Sequence, residues 1–241
     1  MEMTKSPSVG SFVANDFRTA AVFQKYGIDF CCKGGKSVDE VCDKKSIDRE
    51  MLLRELNEVS MIPSPSANEY SSWSLDKLID YIESTHHRYV ENAIPPLLQF
   101  LDKLCNVHGG NHPELFEINE QFVAAAGELT AHMKKEELIL FPYVYRMVEA
   151  INTGVDMNEA PFGTVKNPIA MMMQEHDVEG DRFSKIAELS NNYNAPADGC
   201  TTYRVAFALL KEFEEDLHKH IHLENNILFP KALEMEKKLI S

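Results

Sequence analysis

One eleven-residue pattern occurs twice in the chain and restricts its fold more than any other feature. Residues 132–142 read HMKKEELILFP and residues 220–230 read HIHLENNILFP, with His, Glu, Phe and Pro at identical offsets. Residues four apart lie on the same face of an α-helix, so each copy places an imidazole beside a carboxylate. A single such pair is commonly a solvated charge pair. Repetition of the pair together with a following apolar turn instead favours two buried helices that each carry half of a metal site.

A further histidine precedes each copy at a similar distance. His176 lies 44 residues before His220, and His87 lies 45 residues before His132. The adjacent His86 is the competing choice. Large apolar residues fall seven and ten positions after both His176 and His87, whereas the same offsets from His86 give an alanine and a proline. We therefore choose His87 as the candidate ligand and treat His86 as a flanking residue.

Each half of this region then supplies two histidines and one glutamate from two helices. Such a set with open positions is typical of non-haem iron, and two sets facing each other in a helical bundle would hold two metal ions bridged by carboxylates. The order His-x-x-x-Glu and the excess of histidine disfavour the Glu-rich, ferritin-like type of site. The predicted ligands are His87, His132, Glu136, His176, His220 and Glu224.

Charge and cysteine content narrow the class of partner. The 38 acidic and 24 basic residues give a net charge of −14, which argues against a nucleic-acid backbone or an anionic membrane surface as partner. No run approaches the roughly 20 apolar residues of a membrane span, and the first residues lack the apolar core of a signal peptide. Five cysteines without framework spacing indicate free thiols in a reducing compartment, so we expect a cytoplasmic protein.

Helical signals continue through the chain, and strand signals are absent. We predict loose residues at 1–10, then a helix over 15–26 that Gly27 stops. A capping box that starts at Ser37 opens a second helix. A third helix covers about 48–61, with Met51, Leu52, Leu56 and Val59 on its buried face.

The chain is expected to be all-α, with a small helical domain before a four-helix bundle. We place the small domain at 1–62, a linker rich in proline and serine at 63–73, and the bundle at 74–241. Pro142 and Pro230 stand six residues after the two repeated glutamates. We expect them to kink their helices just beyond the metal site.

Cys31 and Cys32 stand beside a lysine and two glycines in the segment CCKGGK. An exposed setting of this kind would lower a thiol pKa and favour metal hand-off or redox exchange. The alternative is a pair of small side chains packed under a turn. A vicinal pair does not form a tetrahedral zinc site by itself.

The motifs together carry a family resemblance. The two His-x-x-x-Glu pairs, the histidines before them and the Phe-Pro after each pair resemble a hemerythrin-like di-iron bundle. Residues 13–35 read VANDFRTAAVFQKYGIDFCCKGG, and with this segment in front the chain resembles the Repair of Iron Centers family, the ScdA- and YtfE-type iron–sulfur cluster repair proteins. The resemblance covers nearly the full length.

The resemblance implies an oxo-bridged, non-haem di-iron centre held by the six predicted ligands, in a bacterial cytoplasmic protein induced by nitric oxide or oxidative stress. It also implies a homodimer that rebuilds damaged iron–sulfur clusters by donating iron to damaged or apo iron–sulfur proteins. Glu128 and Glu175 match family carboxylates near the iron path, and Cys31 and Cys32 match the family's cysteine pair.

Two other functions stay open from the sequence. Reduction of nitric oxide, or less readily of peroxide, at the same irons would make the protein an enzyme. Transport or sensing of dioxygen is disfavoured, because the hemerythrins that carry dioxygen resemble a five-histidine site and lack the N-terminal segment.

Overall fold

The structure is a computed structural model that describes residues 7–62, 70–155, 157 and 160–239. Most of these residues are helical, and the described part of the chain contains no strand, only two isolated β-bridges. The chain is therefore all-α, as predicted. Within the same described ranges, no helix combines the length and apolar character that crossing a membrane requires.

Contacts divide the chain into two compact units. The first comprises Met1–Leu78, Met147–Met157 and Ile221–Ser241, and the second comprises Ile79–Arg146 and Asn158–His220. The predicted domains are continuous in sequence and are separated by a linker at 63–73. Residues 63–69 of that linker lie outside the described residues, so its boundaries stay a prediction.

Within its described residues, the first unit consists mainly of four short N-terminal helices, parts of two later ones and the whole of the last one. The four are amphipathic and bury residues such as Phe23 and Leu52 completely. The helices are α1 (Val9–Asn15), α2 (Thr19–Lys25), α3 (Val38–Lys45), α4 (Arg49–Met61), the start of α5 (Leu75–Tyr81), the end of α8 (Phe141–Thr153) and α11 (Phe229–Leu239).

The first two helices correct the prediction of one helix over 15–26 after a loose start. Ser8 caps α1 with its side chain, so helix begins inside the stretch expected to be loose. Asn15 is the last residue of α1, and Arg18 holds the N-cap position of α2. The helical conformation is interrupted at Asp16. Its backbone is extended, and its carboxylate accepts the backbone N–H of Arg18 at 3.1 Å. A short polar side chain that bonds the local backbone in this way competes with helix continuation.

Other local predictions in this unit are confirmed. Gly27 has φ 61° just after α2, where a left-handed residue ends the helix. Ser37 forms the capping box of α3. Leu52 and Leu56 are buried in α4, but Met51 is 49% exposed and does not belong to the buried face.

The second unit is a bundle of four long helices. They meet around Phe213, whose ring contacts Tyr89 at 6.1 Å, Phe122 at 5.4 Å and Phe183 at 5.5 Å between ring centroids. These rings come from all four helices, so one aromatic cluster fixes the bundle. The helices are α6 (Arg88–His108), α7 (Glu114–Lys135), α9 (Lys166–Leu189) and α10 (Thr201–Leu223).

Three π-helical segments interrupt the long helices, and the sequence analysis did not predict them. Each contains one predicted metal ligand, which agrees with the frequent placement of π-turns at functional sites. The segments are Ile82–His87, Glu136–Leu140 and Glu224–Leu228.

The last two π-segments stand directly before the prolines that were expected to kink their helices. The N–H of Phe141 bonds to the carbonyl of Glu136, and the N–H of Phe229 bonds to the carbonyl of Glu224. Each bond spans five residues, so the register shifts by one residue before a proline that has no N–H to donate. The disturbance therefore begins at the glutamate and not beyond it.

Within the first unit, the segment after Glu224 holds the cysteine loop. The amide of Asn225 donates to the carbonyl of Cys31, and that of Asn226 donates to the carbonyl of Phe30, both at 3.2 Å. A Cβ on Gly34 would lie 2.4 Å from the Phe30 carbonyl oxygen and 3.0 Å from the Asn226 Oδ1. Only glycine permits this close approach.

We expect Gly34→Ala to lower the free energy of unfolding by about 1–3 kcal/mol, because the new methyl group overlaps a backbone oxygen. Gly35→Ala is the matched control, since nothing lies within 4 Å of a Cβ at that position. Urea denaturation followed by circular dichroism measures both variants. Equal midpoints for the two would contradict the close packing of this loop.

Candidate metal centre

Two groups of potential ligand atoms in the second unit share one carboxylate. His87 and His220 form the first group with Glu136, and His132 and His176 form the second group with the same Glu136. Within each group the ligand atoms all lie within 4.8 Å of one another. All five side chains are buried, none more than 3% exposed.

The shared carboxylate stands midway between the groups. Its Oε2 atom is 3.4 Å from the Nε2 atom of His87 and 3.4 Å from the Nε2 atom of His132. On the His132 side, the Nε2 atom of His176 lies 3.0 Å from that of His132. On the other side, the rings of His87 and His220 have centroids 5.0 Å apart. One oxygen of Glu136 therefore lies equally far from an imidazole of each group.

The sixth predicted ligand, Glu224, follows His220 by one turn along a continuous helical segment. Four residues of helix bring the two side chains to the same face. Glu224 is fully buried, with an exposed fraction of 0%. A carboxylate in such a position is stable only when a charge or hydrogen bonds compensate for its lost hydration.

Acidic side chains orient two of the histidines through the ring nitrogen that faces away from the centre. Nδ1 of His132 lies 2.7 Å from Glu175, and Nδ1 of His87 lies 3.0 Å from Glu137. With Nδ1–H donating to a carboxylate, the Nε2 lone pair is left to bind a metal. Glu175 was among the predicted carboxylates, whereas Glu137 was missed.

These two carboxylates remain ionised. Burial opposes the charge of Glu175, but hydrogen bonds from Lys135 and His132 outweigh it and lower the pKa below its ordinary value. Burial likewise opposes the charge of Glu137, and bonds from Lys134 and His87 lower its pKa. Each acts as a fixed negative charge that favours the N–H of its histidine and the basicity of the opposite nitrogen.

His86 lies outside both ligand groups. Its Nδ1 atom is 2.8 Å from Asp216, and its ring stacks on that of His220 at 5.6 Å between centroids. His86 is nonetheless buried, 1% exposed. It therefore packs beside a candidate ligand and makes a third acid–imidazole contact.

A cavity of about 270 Å³ reaches the His132 side of the centre. Glu128 is exposed and its carboxylate lies 2.9 Å from Arg182. Burial raises the pKa of Glu179 to about 7. The lining of the cavity comprises Glu128, Leu129, Ala131, His132, Lys135, Glu175, His176 and Glu179.

The cysteine pair contradicts the expected exposed setting. Cys31 is only 3% exposed, while Cys32 is partly buried. Contact with the Cys32 thiol, burial and nearby Asp29 raise the pKa of Cys31 well above its ordinary value. The structure instead agrees with the alternative of two small side chains packed under a turn, and Asn225, from a distant part of the chain, bonds to the Cys31 carbonyl.

The same loop forms a third group of potential ligand atoms. One Oδ1 atom of Asp29 accepts the backbone N–H of Cys31 at 3.1 Å and that of Cys32 at 2.9 Å. The carboxylate and both sulfur atoms all lie within 4.8 Å of one another. Asp29 was missed from the sequence, although a carboxylate two residues before a thiol pair was a usable signal. For Glu137 no comparable signal exists in the sequence. It stands next to Glu136, but its partner His87 lies on another helix.

The donors of the buried centre fit transition-metal ions. Imidazole nitrogen suits iron, copper and zinc, whereas magnesium and calcium sites are built mainly from oxygen. Burial of carboxylates among aromatic and aliphatic side chains also requires a compensating positive charge. The fold and the donor set together define a metal-binding helical bundle of the hemerythrin type.

Comparisons with known proteins agree with this class. Residues 78–232 match the family described as the hemerythrin HHE cation binding domain, and residues 5–60 match ScdA_N, a domain of unknown function. The chain is 33% identical to the iron-sulfur cluster repair protein YtfE of Musicola paradisiaca, over 96% of this chain and 98% of that protein. It is 30% identical to the iron-sulfur cluster repair protein ScdA of Staphylococcus haemolyticus, over 95% and 99% of the two chains. The chain belongs to the family of YtfE- and ScdA-type iron–sulfur cluster repair proteins.

We expect Glu175→Gln and Glu137→Gln each to weaken metal binding by about 10–100-fold, because each removes the acceptor that orients a histidine. Equilibrium titration with ferrous iron against a competing chelator measures the change. Glu117→Gln is the matched control: it removes an exposed carboxylate of α7 that lies 3.7 Å from Lys185 and does not line the cavity, so equilibrium affinity should stay unchanged. An equal loss in all three variants would indicate a general charge effect and would contradict the orienting role.

Proposed function

We propose that this chain repairs iron–sulfur clusters damaged by nitrosative or oxidative stress, and that it does so by donating iron from a buried di-iron centre. The observation that carries the proposal is the Glu136 carboxylate, 3.4 Å from imidazoles of two separate ligand groups. One carboxylate with that position serves two metal ions at once. The names of the relatives, iron-sulfur cluster repair proteins, support the direction of the chemistry.

The proposed centre is an oxo-bridged pair of iron ions. Glu136 and Glu224 would hold both ions, and two imidazoles would hold each ion, which would leave positions open to small molecules such as nitric oxide or dioxygen. When bound, the irons supply redox-active ferrous and ferric states and the cargo for repair. The proposed ligands are His87, His132, Glu136, His176, His220 and Glu224.

The cavity beside His132 and His176 gives the cargo a route. Glu175 bonds to His132 at 2.7 Å and also bonds to Lys135. Glu128 and Glu179 line the same cavity, so hard oxygen ligands follow one another from the buried histidines outwards. We propose that these carboxylates take over ferrous iron as it leaves the imidazoles.

The thiol pair is the second part of the proposal. Asp29, Cys31 and Cys32 offer three ligand atoms within 4.8 Å of one another. The side-chain amide of Asn225, the residue after Glu224, donates to the carbonyl oxygen of Cys31 at 3.2 Å. We propose that this group assists hand-off to an iron–sulfur protein, because thiolates are the ligands that iron acquires in a cluster. The homodimer and the cytoplasmic location expected from the resemblance stay predictions.

Metal analysis tests the centre itself. We expect about two irons per chain after anaerobic loading, and less than one in Glu136→Gln, because the substitution removes a ligand from both ions at once. Mössbauer spectra and metal content by mass spectrometry report this directly. In the matched control Glu137→Gln, the two irons should still bind at saturating concentration, since only an orienting contact is lost. Loss of a single iron in Glu136→Gln would contradict the bridging position.

Transfer of iron tests the function. The loaded protein is mixed anaerobically with an apo-acceptor, sulfide and a chelator that traps free iron, and cluster formation is followed by its visible absorption. We expect assembly faster than with an equal concentration of free ferrous iron, and slower assembly for the double variant Cys31→Ala/Cys32→Ala with unchanged iron content. Cys42→Ala replaces another thiol in the same unit and should transfer normally.

Two results would overturn this function. Assembly at the rate of free iron would exclude directed donation. Formation of nitrous oxide over many turnovers, when nitric oxide is added anaerobically to the ferrous protein, would instead assign the centre to nitric oxide reduction.

A further inference from the structure

A second reactive group lies in the second unit, apart from the ligand groups. Cys200 is exposed and immediately precedes α10. Its Sγ atom is 3.3 Å from Nε2 of His108, the last residue of α6. An exposed thiol and an imidazole in hydrogen-bond contact form the pair that generates nucleophilic thiolates in proteins.

The end of the bundle around this pair is polar and fixed. Nε2 of the neighbouring imidazole, His112, lies 3.1 Å from Asp198, and its Nδ1 lies 3.1 Å from Glu114. The ring of Tyr203 packs between the two imidazoles, with centroids 5.4 Å from His108 and 5.8 Å from His112. The carboxylates therefore bind His112 and leave His108 directed at the thiol.

The start of α10 adds to the stabilisation of a thiolate. The backbone of Tyr203 first, and then the imidazole of His108, donate to the sulfur, and together they outweigh burial and lower the pKa of Cys200 to about 7. Free N–H groups at the start of a 23-residue helix favour a negative charge there. Two independent features thus act on the same sulfur atom.

The three buried thiols differ from Cys200 both in exposure and in the direction of their pKa shift. All five cysteines lie in the described part of the chain, and among them only Cys200 is exposed. Burial raises the pKa of Cys42 and of Cys105. Cys31 is buried as well, and its pKa is also raised.

We propose that Cys200 is a site of reversible thiol modification, which accepts disulfides of low-molecular-weight thiols. The Cys200 thiolate attacks one sulfur of the disulfide; a new S–S bond forms, the original S–S bond breaks, and the departing thiolate takes a proton from water. The disulfide is itself the oxidant, so one thiol of the protein becomes a mixed disulfide and one small thiol is released. A second small thiol reverses the reaction.

The open position favours disulfides as the partner. Cys200 is exposed at the end of the bundle, so its sulfur is accessible to a disulfide from solvent. At pH 7 a thiol of pKa about 7 is about half ionised, against about 3% for an ordinary cysteine. The lower intrinsic nucleophilicity offsets about fivefold of this gain, so exchange should be about threefold faster than at an ordinary exposed thiol.

The test uses the full-length protein and oxidised glutathione as the probe, under anaerobic conditions from pH 5.5 to 9. Site-resolved mass spectrometry follows the adduct on each cysteine. We expect Cys200 to be modified first, with a rate that rises through an apparent pKa near 7, and complete reversal by added reduced glutathione. The adduct should vanish in Cys200→Ser.

The variant His108→Gln removes the imidazole and should move the rate profile of Cys200 to higher pH. The matched control is His112→Gln, which removes an imidazole four residues further along the chain that is bonded to Asp198 and Glu114. Its profile should match that of the unsubstituted protein. A first adduct on Cys32, or equal effects of the two histidine variants, would overturn the proposal.

Discussion

The carboxylate of Glu136, buried between imidazoles from two helices, is the constraint on which the second unit depends. Its Oε2 atom lies 3.4 Å from both His87 and His132, and the residue is fully buried. An uncompensated carboxylate at such a site costs several kcal/mol. The four helices can therefore close around it only if positive charge enters with them. Packing of the bundle consequently depends on compensation of this charge. The aromatic cluster around Phe213 holds together the four helices.

The π-turns resolve a conflict within each repeated motif. In a regular α-helix, residues five apart point in different directions, so Glu136 and Phe141 would not both face inwards. A five-residue hydrogen bond widens the turn and brings both to the buried side, where each is 0% exposed. Glu224 and Phe229 repeat the pattern, at 0% and 1%. The proline after each phenylalanine makes the wider turn inexpensive, since no N–H there loses a partner.

A feature could be predicted from the sequence when its interacting residues are close along the chain, and not when they come from different helices. The i,i+4 pairs and the Ser37 capping box depend on neighbours along one helix, and periodicity reveals them. The contacts of Glu137 with His87 and of Glu175 with His132 join different helices, which no local pattern encodes; Glu175 was identified only through the family resemblance. The exposed setting predicted for Cys31 was wrong for a similar reason, because Asn225, which bonds to its carbonyl, lies far along the chain. The π-turns were missed because their hydrogen bonds leave the residue pattern of a helix almost unchanged.

The buried centre, the cavity beside it and the thiol loop offer different types of ligand, which suggests the order in which iron would bind to them. The buried centre offers imidazoles and carboxylates, the cavity beside it offers carboxylates, and the loop at Cys31 and Cys32 offers two thiols with Asp29. Ferrous iron binds each type, but iron–sulfur clusters are held by thiolate. In the proposed transfer, iron would pass from nitrogen and oxygen ligands to sulfur, the type of ligand that holds it in a cluster. Within the first unit, the amide of Asn225 bonds the thiol loop to the segment that follows Glu224.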